Sequence, residues 1–267
     1  MELSRSLAVA TSLEVLPVAG STNDELSARA AELPDFSVVV TDNQTAGRGR
    51  LGREWVAPPG ATLAISVLLR PVLPAGEPLS LEHYGWLPLI SGLAMARAVA
   101  SVLPDGAERV GLKWPNDVQV NGAKICGILA ELQPGGDSVV IGAGLNVSMT
   151  REQLPIPTAT SLALSGAVLS GDDLADAALA AYLTALRELY SGFVSLGADA
   201  DGSGVLDALR DACTTLGREV HVQLPGGEQL RGTAIDIDRS GRLVVRTFSN
   251  GHSVAVAAGD VTHVRYE

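Results

Sequence analysis

Lysine is almost missing from this chain. Of 19 basic residues only Lys113 and Lys124 are lysines; every other cation is an arginine. Arginine-rich codon usage would leave few lysines by chance, but these two stand eleven residues apart in one segment. An ammonium is a compact point charge on a flexible stem, and a planar guanidinium fork does not replace it. The segment therefore reads as one that needs ammonium groups. Cysteine is as scarce: Cys126 and Cys213 are far apart and form no C-x-x-C pair. That excludes a disulfide framework and the usual zinc spacings, and it fits a reducing cytoplasm. Positive charge is in deficit, with a net charge of −11. No general nucleic-acid binder is expected from such a balance. No run approaches the length of a membrane span, so no membrane partner is expected. Glu2 and Glu14 flank the short apolar run at 7–10, which does not read as a secretory leader. There is no internal repeat and no low-complexity tract.

What is present is a foldable core. The chain has 267 residues, 46% of them hydrophobic, enough for one large domain or for a large and a small one. The first dozen residues carry no clear pattern. Ser21-Thr22-Asn23-Asp24 opens a helix predicted over 25–32, with Ser or Asp as N-cap. Strands are predicted at 37–41 and 62–69, with a Gly- and Arg-rich loop between them at 42–59. Residues 87–103 are apolar at helical period and read as a central buried helix. A meander follows: a strand at 117–120, a type I′ turn at Asn121-Gly122, a strand at 124–133, a turn at 134–137 and a strand at 138–147. A linker with Pro155 and Pro157 leads to a long amphipathic helix at 172–196 and a short one at 205–213. Beyond Leu216, short strands alternate with tight turns at 225–227, 239–241 and 250–251, the style of a small β-barrel. The expected fold is α+β: a mixed, largely antiparallel sheet with helices over 1–214, then a small β domain over 215–267.

Four segments carry chemistry. Gly47-Arg48-Gly49-Arg50-Leu51-Gly52-Arg53 fits G-x-G-x-x-G literally, but Trp55, Pro58, Pro59 and Gly60 follow where a dinucleotide fold needs a helix. A kinase glycine loop fails as well, because no H-R-D or D-F-G follows. Three arginines within six residues supply the local positive potential that an acidic protein needs to hold phosphate. The glycines let backbone approach a ligand and let the loop move, so a basic, solvated loop and an anion-binding lid are the two readings, and Trp55 favours the lid. Lys113-Trp114-Pro115-Asn116-Asp117 is ordinary turn chemistry, made less ordinary by its lysine. In Lys124-Ile125-Cys126-Gly127-Ile128-Leu129-Ala130-Glu131 the second lysine opens a strand, and Gly127 marks a close approach or a bulge. Cys126 reads as a core residue. Gly142-Ala143-Gly144-Leu145-Asn146-Val147 again places small residues in a strand.

These segments, with Ser21-Thr22-Asn23 ahead of them and in this order, resemble the biotin–protein ligase family over about residues 15–150, and the C-terminal β domain matches that layout. The resemblance implies a class II synthetase-like catalytic domain and an SH3-like C-terminal barrel. It implies ATP and biotin as substrates, with Mg²⁺, and a biotin carboxyl carrier protein as the acceptor of biotin. By motif, Ser21, Thr22, Asn23, Gln44, Arg48, Gly49, Arg50, Lys124 and Gly127 are expected at biotin. Arg50, Arg53, Trp55, Lys113, Asn116 and Asn146 are expected at ATP or the adenylate. Lys124, Arg50, Lys113 and Asp117 are the expected catalytic groups, and Asp117 the expected metal-side carboxylate. Some relatives carry an N-terminal DNA-binding domain; about twenty residues before Ser21 are too few for one, so the enzyme-only form is expected, as a monomer or weak homodimer. A lipoate–protein ligase is the nearest alternative, though such ligases lack this arginine loop. A biotin-responsive DNA-binding regulator and a ligand-binding module without catalysis are the others.

Overall fold

The computed structural model describes residues 1–224, 227–257 and 260–263. Its strands are β1 (Ser12–Val15), β2 (Ser37–Thr41), β3 (Gly47–Arg48), β4 (Glu54–Trp55), β5 (Thr62–Leu69), β6 (Val110–Lys113), β7 (Asp117–Val120), β8 (Ala123–Leu132), β9 (Val139–Asn146), β10 (Glu219–Gln223), β11 (Gln229–Ile237), β12 (Leu243–Thr247), β13 (Ser253–Val256) and β14 (Asp260–His263). Its helices are α1 (Ser4–Leu7), α2 (Thr22–Ser27), α3 (Trp86–Ser101), α4 (Gly106–Arg109), α5 (Gly171–Ser195) and α6 (Val205–Ala212). The large sheet runs β1-β2-β5-β9-β8-β7-β6. Only β1 pairs in parallel, with β2; the other neighbours are antiparallel. A second, antiparallel sheet runs β13-β12-β11-β10-β14. The α+β expectation and the separate C-terminal β unit are what the fold shows. Among the described residues no helix is long and apolar enough to cross a membrane.

Side chains alternate across a strand, and here the two faces have different tasks. On one face Leu63, Ile65, Val67 and Leu69 of β5 join Ile141, Ala143 and Leu145 of β9 in the main core beneath α3 and α5. α3 is buried almost all round, as a helix between a sheet and another helix must be. Its Ser91 hydroxyl meets the Tyr182 hydroxyl of α5 at 2.9 Å, which satisfies both groups inside that core. On the other face the residues are small or polar: Ala64 and Ser66 on β5, Gly142 and Gly144 on β9, Gly127 on β8. Register aligns them, with Ser66 opposite Gly142, Ala64 opposite Gly144 and Gly144 opposite Gly127. The sheet is therefore dished on that face. A smaller apolar cluster of Leu26, Ala30, Val39, Leu68 and Val140 seats α2 beside the depression.

Several local expectations need correction. The undecided N-terminus forms α1 and β1. β1 pairs with β2, and α1 is held from a distance: the Asp176 carboxylate of α5 accepts from the backbone N–H of Arg5 and of Ser6, and from the Ser6 hydroxyl, at 2.7–3.0 Å. α2 begins at its N-cap Ser21 and ends at Ser27, earlier than the predicted 25–32. The Arg70 guanidinium takes the Ala30 and Leu33 carbonyls, so those oxygens serve a side chain where a longer helix would need them. The stretch at 42–59 is not loop throughout; β3 and β4 pair as a hairpin across a 3₁₀ turn at Arg50–Gly52. Residues 110–113 form β6, a strand that the sequence pattern does not predict. The Asn121-Gly122 turn is as expected, with φ of 50° and 77°, the positive pair that a type I′ turn requires. The turn expected at 225–227 falls partly outside the described residues.

The C-terminal sheet is tied to the large domain through Arg210 of α6, which pairs with Asp236 of β11 at 2.8 and 3.0 Å, and through the tight turn after β11. Trp86 Nε1 donates to the Arg239 carbonyl at 3.2 Å and Trp114 Nε1 to the Gly241 carbonyl at 3.1 Å. Gly241 has φ of 75°, and a Cβ there would sit 2.7 Å from a Leu89 methyl. Trp114 itself is buried, so the segment that begins at Lys113 is braced from behind by the second domain.

Candidate active site

The dished face is the floor of a cleft of about 890 Å³, open mouth included. The turn into α2 supplies Ser21, Thr22 and Asn23; the hairpin supplies Arg48, Gly49, Arg50, Arg53 and Trp55; β7 and β8 supply Asp117, Lys124 and Gly127. Gln44 and Asn116 complete the wall. All the residues expected at biotin therefore line one cavity, together with Arg53, Trp55, Asn116 and Asp117. Lys113 and Asn146 are not among its lining residues. Lys113 stands opposite Asp117 across the β6–β7 hairpin. Asn146 is buried and donates to the Thr160 carbonyl at 2.8 Å.

Each polar side chain on the floor is held by another. The Thr22 backbone N–H and hydroxyl both donate to Gln44 Oε1, at 2.9 and 3.2 Å. Ser66 Oγ lies 2.6 Å from Asn23 Oδ1 and 2.9 Å from Thr22 Oγ1. Asn23 Nδ2 donates to Glu131 Oε2 at 2.5 Å. Ser66 and Glu131 were not singled out from the sequence. Their signals were there: a lone hydroxyl within the apolar run 63–69, and a carboxylate at the end of an apolar strand.

The hairpin closes one side of the cleft through charge. Arg48 Nη2 meets Asp24 Oδ1 at 2.6 Å and both Glu131 oxygens at 3.0 and 3.1 Å. Burial works against the Arg48 charge, yet Glu131 and Asp24 outweigh it and hold the guanidinium above its ordinary value. Arg50 Nη1 donates to Asn116 Oδ1 at 3.0 Å, and Asn116 is fixed in turn by the Ile128 carbonyl and N–H. The Trp55 indole lies over the paired glycines; a Cβ on Gly144 would come within 2.6 Å of it.

Lys124 stands where these walls meet. Its Nζ is 2.7 Å from Asp117 Oδ1 and 5.9 Å from the Trp55 ring centre. The strand is anchored beneath it, because the Lys124 N–H donates to the Thr158 carbonyl and the Thr160 N–H to the Lys124 carbonyl, both at 2.8 Å. One lysine, three arginines and an asparagine amide thus converge on a floor of small residues. Such a site can seat a compact ligand and hold anionic groups above it. Cys126, next along β8, takes no part: burial pushes its thiol up, far from any thiolate.

Comparison with known proteins agrees with this geometry. Residues 15–148 match the Biotin/lipoate A/B protein ligase family and residues 215–264 the Biotin protein ligase C terminal domain. A biotin–[acetyl-CoA-carboxylase] ligase of Mycobacterium tuberculosis is 40% identical over 95% of this chain and 89% of its own length. A biotin protein ligase from Aquifex aeolicus, solved in complex with biotin and ATP, superposes with a TM-score of 0.69 at 25% identity, over 96% of this chain and all of that one. One from Leishmania major in complex with biotinyl-5-AMP gives 0.56 at 29% identity, over 93% of this chain and 99% of that one. With both domains matched and a full-length relative at that identity, the chain belongs to the biotin protein ligase family.

Proposed function

We propose that this chain activates biotin with ATP and passes it to a lysine of a biotin carboxyl carrier domain. A carboxylate is a poor acyl donor because its leaving group would be oxide. The biotin carboxylate therefore attacks the α-phosphorus of ATP, pyrophosphate leaves, and biotinyl-AMP forms. The acceptor amine then attacks the acyl carbon and AMP leaves. Neither step asks a side chain for a covalent bond; alignment and charge neutralisation suffice.

The observation that carries this reading is the place of Lys124. Its ammonium stands between the small-residue floor, where the bicyclic ring of biotin would sit, and the Arg50–Asn116 wall, where the phosphate would lie. There it neutralises two anions that must meet. Arg50 and Arg53 hold the phosphate from the hairpin side, and Trp55 screens the anhydride from water. Lys113 acts from the ATP side, at the end of β6. Asp117 pairs with Lys124 and is the candidate base for the proton that the incoming amine must lose. Asp117 fits the substrate's magnesium only as a single carboxylate: among the described residues no three His, Cys, Asp or Glu side chains cluster as a resident metal site. Mg²⁺ would enter with the nucleotide and neutralise its phosphate charge, with Asp117 as the carboxylate available to it. Residues 1–214 are the catalytic unit and 215–267 the accessory one, bracing Trp114.

Incubation with biotin and MgATP, followed by native mass spectrometry, tests the reading. Bound biotinyl-AMP and released pyrophosphate are expected. Adenylate that appears with lipoate and not with biotin would overturn it.

A further inference from the structure

Glu131 belongs to two networks at once. Its carboxylate accepts from the Asn23 amide on the floor and from the Arg48 guanidinium at the base of the hairpin. An ionised carboxylate only accepts, so the Asn23 nitrogen must face Glu131 and the oxygen must face Ser66, whose hydroxyl is 2.6 Å away. Gly142 lies against this amide: a Cβ there would come within 2.5 Å of Asn23 Oδ1. Asn23 is buried, and a rotated amide would set N–H against the hydroxyl it now accepts from and oxygen against a carboxylate. The remaining amide hydrogen and lone pair therefore present a fixed pattern to the cleft. Arg48 is a second matter: Asp24 and Glu131 together clamp it from α2 and from β8.

We propose that Glu131 is a positioning residue that couples ring recognition to closure of the arginine hairpin, through one carboxylate shared by Asn23 and Arg48. It touches no reacting atom. Losing it frees the Asn23 amide and leaves Arg48 with only the exposed Asp24. Ring affinity and hairpin order should then fall together. Asp24, which touches Arg48 but not Asn23, should affect the hairpin more than the ring.

The inference rests on the biotin reading for its first half only; protease cleavage within 47–55 needs no biotin. In Glu131→Ala we expect the KM for biotin in pyrophosphate exchange to rise about tenfold or more, the cost of one charge-assisted hydrogen bond. We expect kcat to fall less, and cleavage within 47–55 to quicken in the free protein at a Tm near that of wild type. Asp24→Ala should quicken cleavage and raise the KM for biotin several-fold less than Glu131→Ala does. Glu131→Gln keeps the size and one acceptor, and covers the case in which Glu131→Ala fails to fold. It should loosen the hairpin and raise the KM less. Glu131→Gln that matches wild type in both readouts overturns the proposal. So does a Glu131→Ala protein whose hairpin loosens with an unchanged KM, or one that changes in Tm alone. A wild type that shows no exchange with biotin would defeat the functional reading instead; the cleavage comparison would still decide whether Glu131 orders the hairpin.

Discussion

Lys124 and Asp117 form an ion pair at 2.7 Å inside the cleft, with both side chains largely withdrawn from solvent. They sit on neighbouring strands, where Asp117 pairs in register with Gly127. The missing side chain of Gly127 leaves room for the lysine: a Cβ there would lie 3.1 Å from Nζ. The ammonium is thus pinned to one spot on the sheet.

Lys124→Arg should not restore activity. A planar fork is wider than an ammonium and would have to turn edge-on between Gly127 and Trp55. Biotin-dependent pyrophosphate exchange should drop by about 10²–10³, the scale for one lost charge at a developing transition state. Exchange near the wild-type rate would falsify the claim that this position needs a point charge.

Arg50→Gly should leak its intermediate. The substitution removes the bond to Asn116 and the phosphate partner on the hairpin, while Lys124 still supports formation of the adenylate. Escaped biotinyl-AMP acylates amines at random. The chain has only two lysines, so it offers few targets itself. Label should appear on a lysine-rich bystander protein incubated with the variant, biotin and MgATP. If adenylate forms and the bystander stays unlabelled, Arg53 rather than Arg50 is the clamp.

Trp114→Phe should weaken the join between the domains. It keeps most of the buried ring but removes the Nε1 donor to the Gly241 carbonyl. A buried acceptor left unpaired costs about 1–3 kcal/mol. Thermal unfolding should fall by a few degrees, and an unchanged Tm would show that the carbonyl finds another partner.

Acid should loosen the N-terminal arm. Burial works against the Asp176 charge, but the Ser6 hydroxyl and the Arg5 and Ser6 amides outweigh it and hold the carboxyl below its ordinary value of 3.8. A depressed carboxylate contributes stability in full above its unfolded value and loses it as pH falls through the folded one. The stability gap between wild type and Asp176→Asn should therefore be flat from neutral pH to about 5 and shrink below 4. Urea unfolding across that range measures it. A gap that widens on acidification would rule out the sign.

Much of the site was legible in the sequence because its chemistry is local. The turn at Ser21, the arginine–glycine hairpin, the Trp114 segment and Lys124 each announce themselves by residue type and spacing. The strands at 37–41 and 62–69 and the buried helix near 87 follow from apolar runs, and the Asn121-Gly122 turn from its need for positive φ. Strand register was beyond the sequence, and register alone stacks Ala64, Gly144 and Gly127 into a floor and sets Ser66 against Asn23. Partners far apart in the chain were beyond it too: Glu131 with Arg48, Asp176 with Ser6, Trp114 with Gly241. A side chain's type fixes what it can bond to, whereas long-range packing fixes which partner comes within 3 Å. The residue types determined that this chain would handle an anionic ligand with arginine and an ammonium, and the dished sheet face decided where they meet.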